Sequence, residues 1–131
     1  MNTSARVATI MQTDWPEVSP DTPIRRAVAL LVETRSAAAP VTDDSGQLVG
    51  ILTQKDCFKP ALYASYYQEW KGSVGEFMTR DVVSLAASDD LTSAAEAFLA
   101  HPHRIFPVEE DGRLVGMLRR SDVLAALLSM G

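Results

Sequence analysis

The sequence has few of the features typical of secreted, membrane-spanning or nucleic-acid-binding proteins. Its single cysteine, Cys57, cannot form an internal disulfide, which fits a reducing compartment. No apolar run reaches the roughly 18 to 20 residues of a membrane span, and Met1-Asn-Thr-Ser-Ala-Arg6 lacks the basic-then-apolar pattern of a signal peptide. A net charge of −5 argues against broad nucleic-acid binding, which needs a basic surface. We therefore expect a cytoplasmic protein with neither a membrane nor a nucleic-acid partner.

The composition is that of an ordinary globular protein. The 131 residues are 47% hydrophobic and 22% charged, as in typical folded domains. This length allows one compact domain or two small halves that share a core.

One stretch occurs twice. Gly46–Asp56 reads Gly-Gln-Leu-Val-Gly-Ile-Leu-Thr-Gln-Lys-Asp, and Gly112–Asp122 reads Gly-Arg-Leu-Val-Gly-Met-Leu-Arg-Arg-Ser-Asp. The inner glycines and the closing aspartates are both 66 positions apart (116 − 50 and 122 − 56). Each copy predicts a hairpin turn, a short strand and the start of a helix. Because a helix N-terminus presents free N–H groups, this stretch suits an anion such as phosphate.

The segments before these copies repeat as well, and each predicts an amphipathic helix followed by a strand. The apolar positions at helical spacing are Ile24, Ala27, Val28 and Leu31 in the first half, and Leu91, Ala94, Ala95 and Phe98 in the second. We expect Asp21 or Thr22 to cap the first helix and Asp89 or Asp90 to cap the second. The predicted fold class is α/β (α+β), with repeats at 7–70 and 74–128. Each repeat is strand-helix-strand-strand-helix, and we expect the two to pack with approximate two-fold symmetry.

The stretch between the copies is the least repetitive. Tyr63, Tyr66, Tyr67 and Trp70 fall at the spacing of one helix face, with Gly72 as the expected end of that helix. Such an aromatic stripe favours packing between halves or subunits over a ligand or partner surface.

Three motifs recur in the same order in both halves: Ile10-Met11 and Phe77-Met78, Pro40-Val41 and Pro107-Val108, and the stretches Gly50 to Asp56 and Gly116 to Asp122. Together they resemble the cystathionine-β-synthase (CBS) domain, which occurs as a tandem pair called a Bateman module. The resemblance covers about residues 7 to 128. It implies a regulatory module that binds adenine nucleotides or adenosyl compounds in clefts between the repeats.

The resemblance also implies roles for particular residues. The closing aspartates, Asp56 and Asp122, would hold the ribose hydroxyls, and Thr53 would contact ribose or phosphate. His103 and Arg104 would meet phosphate. The extended segments near Val18 and Val83 would contact adenine.

The two halves depart from the family pattern in different ways. The first keeps Thr53 but has Ala37 where the second has Arg104, and the second has Arg119 in place of the threonine. If both arginines face one cleft, that cleft favours a polyphosphate.

A purely structural interpretation is equally open for the first repeat. Thr53 and Asp56 form a carboxylate variant of a capping box, in which each side chain bonds the other's backbone. This structural interpretation applies less well to Asp122. Arg119 stands where the threonine would be and cannot accept a hydrogen bond, so the cap of the following helix would fall to Ser121.

We expect a non-catalytic sensor that requires no cofactor and whose regulatory ligand is AMP, ADP, ATP or S-adenosylmethionine. It would form a homodimer and signal to a separate effector protein. One alternative is a structural dimerisation module with vestigial clefts. Another is an enzyme or metal protein that uses Cys57, His101 or His103, although no base partner or full metal ligand set is visible in the sequence.

Overall fold

The computed structural model describes residues 5–130, and their contacts divide into two compact units. One unit is Pro16–Val82, and the other joins the chain up to Trp15 with the chain from Val83 onward. Both units mix helices and strands, so the predicted α/β class is confirmed. These spatial units do not coincide with the predicted repeats at 7–70 and 74–128. The limits of the repeats along the sequence stay a prediction.

The elements follow one another in an order that repeats, except at the predicted opening strand. They are α1 (Val7–Ile10), α2 (Ile24–Thr34), β1 (Ala38–Thr42), β2 (Leu48–Thr53), a 3-10 turn (Lys55–Cys57), α3 (Phe58–Tyr67), α4 (Val74–Phe77), β3 (Leu85–Ala86), α5 (Leu91–Ala100), β4 (Ile105–Glu110), β5 (Arg113–Arg119) and α6 (Arg120–Met130). The predicted opening strand forms only in the second half, as β3, and is a single bridge at Val18 in the first.

The Pro16–Val82 unit is built on the antiparallel hairpin of β1 and β2. Val18 adds a parallel bridge beside β1, and Thr79 adds an antiparallel bridge to Ile51 of β2. The two backbone hydrogen bonds between Ile51 and Thr79 measure 2.8 and 2.9 Å. Helix α2 packs its predicted apolar face into the core of this unit, with Val28 partly buried at the edge. The buried core residues are Val18, Ile24, Ala27, Leu31, Ala39, Val41, Leu52, Cys57, Val74 and Met78.

The second unit has the same arrangement of segments. Strand β3 runs parallel to β4, β4 pairs antiparallel with β5, and Gln12 bridges Met117 of β5. Its core consists of Val7, Leu85, Ala87, Leu91, Ala94, Phe106, Val108, Leu118 and Val123. Ala95 and Phe98 of α5 pack against this core, so both predicted helix faces are confirmed.

The repeated glycines are explained by the methionines of the Ile-Met and Phe-Met motifs. A Cβ on Gly50 would lie 2.7 Å from Met78 Sδ and 3.0 Å from the carbonyl oxygen of Thr79. Gly116 meets Met11 in the same way. Each unit thus joins the glycine of one repeat to the methionine of the other. Only glycine allows this close approach of the two segments.

Helix α5 is capped as the sequence predicts. Asp90 Oδ1 accepts a hydrogen bond from the Ser93 N–H at 2.8 Å. This bond is the main reason why the pKa of Asp90 is lower than usual.

The expected cap of α2 at Asp21 or Thr22 is wrong. The helix begins at Ile24, and Pro23 occupies the cap position without a side-chain hydrogen bond. The Ile24 N–H instead donates to the carbonyl oxygen of Gly72 at 3.0 Å. A backbone group from a distant part of the chain therefore replaces the side-chain cap.

The predicted end of α3 at Gly72 is also wrong. The helix ends at Tyr67, and Gln68 takes the left-handed conformation with a φ of 57°. The Gln68 side-chain amide donates to the carbonyl oxygen of Ser65 at 3.2 Å, which supports this early end. Trp70 therefore lies outside the helix.

The aromatic stripe does not pack into the core of its unit. Tyr66 and Tyr67 are 74% and 65% exposed, and Tyr63 and Trp70 are each 36% exposed. Tyr63 and Tyr67 contact one another, with ring centroids 4.6 Å apart. A role for these rings at a subunit or partner interface stays a prediction.

Candidate ribose-binding carboxylates and their surroundings

In the first repeat, β2 runs directly into the 3-10 turn and brings Thr53 and Asp56 together. The Thr53 N–H donates to Asp56 Oδ2 at 3.0 Å, and the Asp56 N–H donates to Thr53 Oγ1 at 3.1 Å. This is the reciprocal arrangement of a capping box, so that structural role is confirmed. It also fixes the direction of the Asp56 carboxylate at the end of β2.

Thr79 is a further partner of Asp56 that was missed by the reasoning from sequence. Its hydroxyl donates to Asp56 Oδ2 at 3.2 Å and lies 3.5 Å from Oδ1. The backbone bridge to Ile51 brings Thr79 to this position. The sequence offered one signal for this role, which is that Thr79 directly follows the Phe77-Met78 motif. In the structure, Met78 packs against Gly50.

The Asp56 carboxylate retains acceptor capacity. An ionised carboxylate has about four lone-pair positions, and the short hydrogen bonds to Asp56 all reach Oδ2. Among residues 5–130, the hydrogen bond to Oδ1 is the 3.5 Å one from the Thr79 hydroxyl. No lysine or arginine within residues 5–130 forms an ion pair with Asp56. The group is therefore an oriented, half-buried anion that can accept further hydrogen bonds from hydroxyls.

In the second repeat, Asp122 is held by Arg119. Arg119 Nη2 donates to Asp122 Oδ1 at 2.8 Å, and both Arg119 Nε and the Arg119 backbone N–H donate to Oδ2 at 3.1 Å. The Asp122 side chain is 13% exposed and that of Arg119 is 53% exposed. The hydrogen bond to Asp122, followed by its charge, raises the pKa of Arg119.

The expectation that Asp122 has less of a local structural role than Asp56 is therefore wrong. Asp122 accepts the backbone N–H of Arg119, as Asp56 accepts that of Thr53. Arg119 cannot accept a hydrogen bond, but it donates two from its side chain instead. The expected cap at Ser121 is wrong as well, because α6 begins at Arg120 and Ser121 lies exposed inside its first turn.

The predicted phosphate-contacting residues precede β4. Arg104 is exposed, and its carbonyl oxygen accepts the Arg120 N–H at 3.0 Å, next to the start of α6. His103 stacks on Phe106, with ring centroids 5.1 Å apart. Within the described chain, the buried Nδ1 of His103 has no hydrogen-bond partner.

Val18 and Val83, the predicted adenine contacts, both belong to hydrophobic cores. Val18 is 4% exposed in the first unit, and its carbonyl oxygen accepts the Thr42 N–H at 3.2 Å. Val83 packs at the margin of the second core. Val18 thus lies beside β1, on the opposite side of the hairpin from Thr79.

Cys57 follows Asp56 and is buried at 6% exposure. Its thiol donates to the carbonyl oxygen of Thr53 at 3.3 Å. Burial, and secondarily the charge of Asp56, raises the pKa of Cys57 to about 11. Since the thiolate is the nucleophile, these surroundings disfavour nucleophilic chemistry at this residue.

We expect Cys57 of the native protein to react slowly with thiol reagents. With a pKa near 11, its thiolate fraction at pH 8 is lower than that of an ordinary cysteine by about 100-fold or more. Alkylation by iodoacetamide, followed by mass spectrometry, should be slowed at least that much relative to protein unfolded in guanidinium. Equal rates in the native and unfolded protein would contradict the assigned burial.

Among residues 5–130, no three His, Cys, Asp or Glu side chains are grouped so that they could hold a metal ion. His101 and His103 contact one another edge to face, with ring centroids 5.4 Å apart, beside Phe106. In the same part of the chain, no helix is long and apolar enough to cross a membrane.

Comparison with known families identifies the repeat. The family model for the CBS domain matches residues 7–62 and again residues 74–129. The chain belongs to the CBS-domain family. Both matches end just beyond the closing aspartate of the repeated stretch, so each CBS domain includes one candidate ribose-binding carboxylate.

Solved CBS-domain pairs have the same fold along nearly the whole chain. CBSX2, solved in complex with AMP, is 30% identical with a TM-score of 0.83, and the match covers 96% of this chain and 98% of that one. CBSX2 is a CBS-pair protein from Arabidopsis thaliana. The CBS domain pair of protein MJ0100, solved with 5'-methylthioadenosine and S-adenosyl-L-methionine, is 25% identical with a TM-score of 0.78, covering 94% and 99% of the two chains.

Curated relatives include larger proteins. The chain is 33% identical over 122 residues to inosine-5'-monophosphate dehydrogenase of Thermoplasma acidophilum, covering 91% of this chain and 23% of that protein. It is 28% identical over 126 residues to the gamma subunit of the 5'-AMP-activated protein kinase of Saccharomyces cerevisiae, covering 91% and 39%. The chain thus spans less than half the length of either relative.

Proposed function

We propose that this CBS pair is a non-catalytic regulatory module that binds an adenosine-containing ligand and signals to a separate partner protein. The ligand would be AMP, ADP, ATP or S-adenosylmethionine, with no cofactor required. The single observation that carries the proposal is the Asp56 carboxylate, which is oriented by Thr53 and Thr79 and free of any cation within residues 5–130. An ionised carboxylate of this kind pairs well with the vicinal hydroxyls of a ribose.

The relatives support the class of ligand. CBSX2, at 30% identity, was solved with AMP, and the MJ0100 domain pair was solved with two adenosyl compounds. These ligands share the adenosine group and differ in what is attached to it. We therefore propose that the protein recognises the ribose and the base of its ligand. The comparison of ligands described below identifies the attached group.

The remaining predicted site residues have subsidiary roles in the proposal. In the unit that contains Asp56, Thr53 would contact ribose or phosphate and the segment at Val18 would contribute apolar and backbone contacts to adenine. In the unit that contains Asp122, the segment at Val83 and the residues His103 and Arg104 would have the corresponding roles at adenine and phosphate for a ligand bound there. Arg104 is exposed and carries a guanidinium that suits phosphate oxygens.

Signalling follows from differential binding. A ligand shifts a conformational equilibrium only if its affinity differs between the two states. We propose that an adenosyl ligand stabilises one arrangement of the module and that a separate effector protein recognises that arrangement. We also propose a cytoplasmic location, in keeping with a single buried cysteine without a disulfide.

Thermal unfolding of the purified protein with AMP, ADP, ATP, NAD and S-adenosylmethionine tests the proposed ligand class. A ligand present at about a hundred times its dissociation constant should add about 2.7 kcal/mol to the free energy of unfolding. For a chain of this length, that corresponds to a rise of several degrees in the unfolding temperature. If none of the five compounds raised the unfolding temperature, the proposed ligand class would be wrong.

The second candidate function is a structural dimerisation module, and exposed apolar side chains favour it. On α3, Phe58, Leu62 and Tyr66 are 65%, 52% and 74% exposed, and on α6, Leu124 and Leu128 are 65% and 83% exposed. Exposed apolar patches of this kind often mark protein interfaces. We therefore propose that the chain forms a homodimer. Sedimentation equilibrium would detect it, and a tight dimer without any ligand response would favour the structural function.

A further inference from the structure

The two repeats place a carboxylate at equivalent positions but hold it with different partners. Asp56 and Asp122 each close the repeated stretch, and each accepts the backbone N–H of the residue three positions earlier. That residue is Thr53 in the first repeat and Arg119 in the second. The two carboxylates therefore differ in the side chain that lies three positions before them, and Asp56 has the Thr79 hydroxyl as a further partner.

Within residues 5–130, the hydrogen-bond partners of Asp56 are neutral and leave one oxygen weakly engaged. Its Oδ2 accepts from the Thr53 N–H at 3.0 Å and from the Thr79 hydroxyl at 3.2 Å, whereas the hydrogen bond from Thr79 to Oδ1 is 3.5 Å long. Because the negative charge is not neutralised by a cation, it remains available to polarise an incoming hydroxyl. A ribose diol can bind without displacing a charged partner.

Asp122 has much less remaining capacity. Arg119 donates from Nη2 to Oδ1 at 2.8 Å and from Nε to Oδ2 at 3.1 Å, and its backbone N–H also reaches Oδ2. This is the two-pronged arginine–carboxylate pairing, whose charge-assisted bonds are roughly twice as strong as neutral ones. Both oxygens are engaged, and three of about four acceptor positions are filled.

A ribose competes poorly for such a carboxylate. Its two hydroxyls are neutral donors, and they would have to displace a cationic fork of the same width. The competing arginine also belongs to the same chain segment, three residues away, so its effective concentration beside Asp122 stays high. The Asp122 side chain is 13% exposed with Arg119 in place.

We propose that Arg119 is a specificity-determining residue: it occupies the carboxylate of the second repeat and leaves one adenosyl-binding site per chain, at Asp56. This inference rests on the proposed function. The Arg119 side chain donates to Asp122 in place of the ribose hydroxyls. The second repeat therefore keeps the carboxylate but does not bind the ligand.

The inference is tested by calorimetric titration of AMP, and separately of S-adenosylmethionine, into the full chain. Wild-type protein should bind one molecule per chain, and Asp122→Ala should leave the dissociation constant within about twofold. Arg119→Thr gives the second repeat the residue of the first and should raise the stoichiometry to two. The double variant Arg119→Thr/Asp122→Ala should return it to one.

Arg120→Thr is the matched control, because it removes a neighbouring exposed arginine that makes no ion pair with Asp122. It should keep the wild-type stoichiometry. Circular dichroism would verify that each variant is folded. If Arg119→Thr failed to fold, Arg119→Gln, which removes the guanidinium charge and keeps a long polar side chain, would be titrated in its place with the same expected stoichiometry.

Several outcomes would overturn the inference. Two AMP molecules per wild-type chain, or an Asp122→Ala variant that loses binding, would show that Asp122 takes ligand. An Arg119→Thr variant with one weakened site would show that Arg119 contacts the ligand, and one with an unchanged single site would show that Arg119 does not control the stoichiometry. Absence of binding of either compound to both wild type and Arg119→Thr would overturn the proposed function together with this inference.

Discussion

Replacing Asp56 with alanine is expected to abolish the thermal stabilisation of the protein by its adenosyl ligand. Asp56 is the proposed acceptor of the ribose hydroxyls, and a hydrogen bond to a charged group contributes about 1.5 to 3 kcal/mol. Loss of two such bonds lowers affinity by about 100-fold or more. At a ligand concentration that raises the wild-type unfolding temperature by several degrees, the variant should show almost no shift.

The control for this experiment must lose a similar amount of stability without losing a ligand contact. Asp56 also bonds the Thr53 backbone, so its removal should destabilise the unliganded protein by about 1 kcal/mol. Asp90→Ala removes a comparable cap from α5 and has no proposed ligand contact. It should lower the unfolding temperature and keep the ligand shift. A full wild-type shift in Asp56→Ala would exclude Asp56 as the ribose contact.

The largest loss of stability is expected for Phe106→Ala. Phe106 is fully buried in the core of the second unit, and its ring lies 4.5 Å from that of Phe98, measured between centroids. Truncation of a buried phenylalanine to alanine costs about 3 to 5 kcal/mol, since apolar burial is lost and a cavity remains. In a chain of this length, the unfolding temperature should fall by about 10 °C or more.

Chemical denaturation of Phe106→Ala measures the change in the free energy of unfolding directly. Leu99→Ala is the matched control, because Leu99 lies on α5 in the same unit and is 90% exposed. It should change stability by less than about 0.5 kcal/mol. Equal effects of the two substitutions would contradict the core described for this unit.

Much of the fold could be predicted because the repeat makes the same local pattern visible twice. The spacing of Leu91 and Ala94, and of Ile24 and Ala27, identified the buried faces of α5 and α2. Asp90 was recognisable as a cap because its side chain bonds a backbone group only three residues away. Features that depend on neighbours in the sequence are accessible without a structure.

Two features were missed because a distant segment supplies the partner. The Gly72 carbonyl oxygen receives the first N–H of α2, so no side-chain cap was needed. The role of Thr79 beside Asp56 depends on the pairing of its segment with β2, which the linear sequence does not reveal. Such contacts are tertiary, and local propensity carries no information about them.

Arg119 represents a different kind of error. The sequence shows that it replaces a threonine, and its inability to accept a hydrogen bond predicts less of a local structural role for Asp122 than for Asp56. The structure shows that the same side chain is a donor to Asp122. The pairing could have been inferred from a basic residue three positions before an acidic one at the start of a helix.

The most direct measurement is a crystal structure of the protein grown with AMP, or with whichever adenosyl compound gives the largest thermal shift. The account predicts a ribose whose hydroxyls lie within hydrogen-bond distance of the Asp56 carboxylate, with Arg119 still paired to Asp122. Two results would contradict this proposal. One is a ribose held by Asp122, and the other is a bound ligand whose ribose makes no hydrogen bond to Asp56, so that Asp56 keeps only Thr53 and Thr79 as partners.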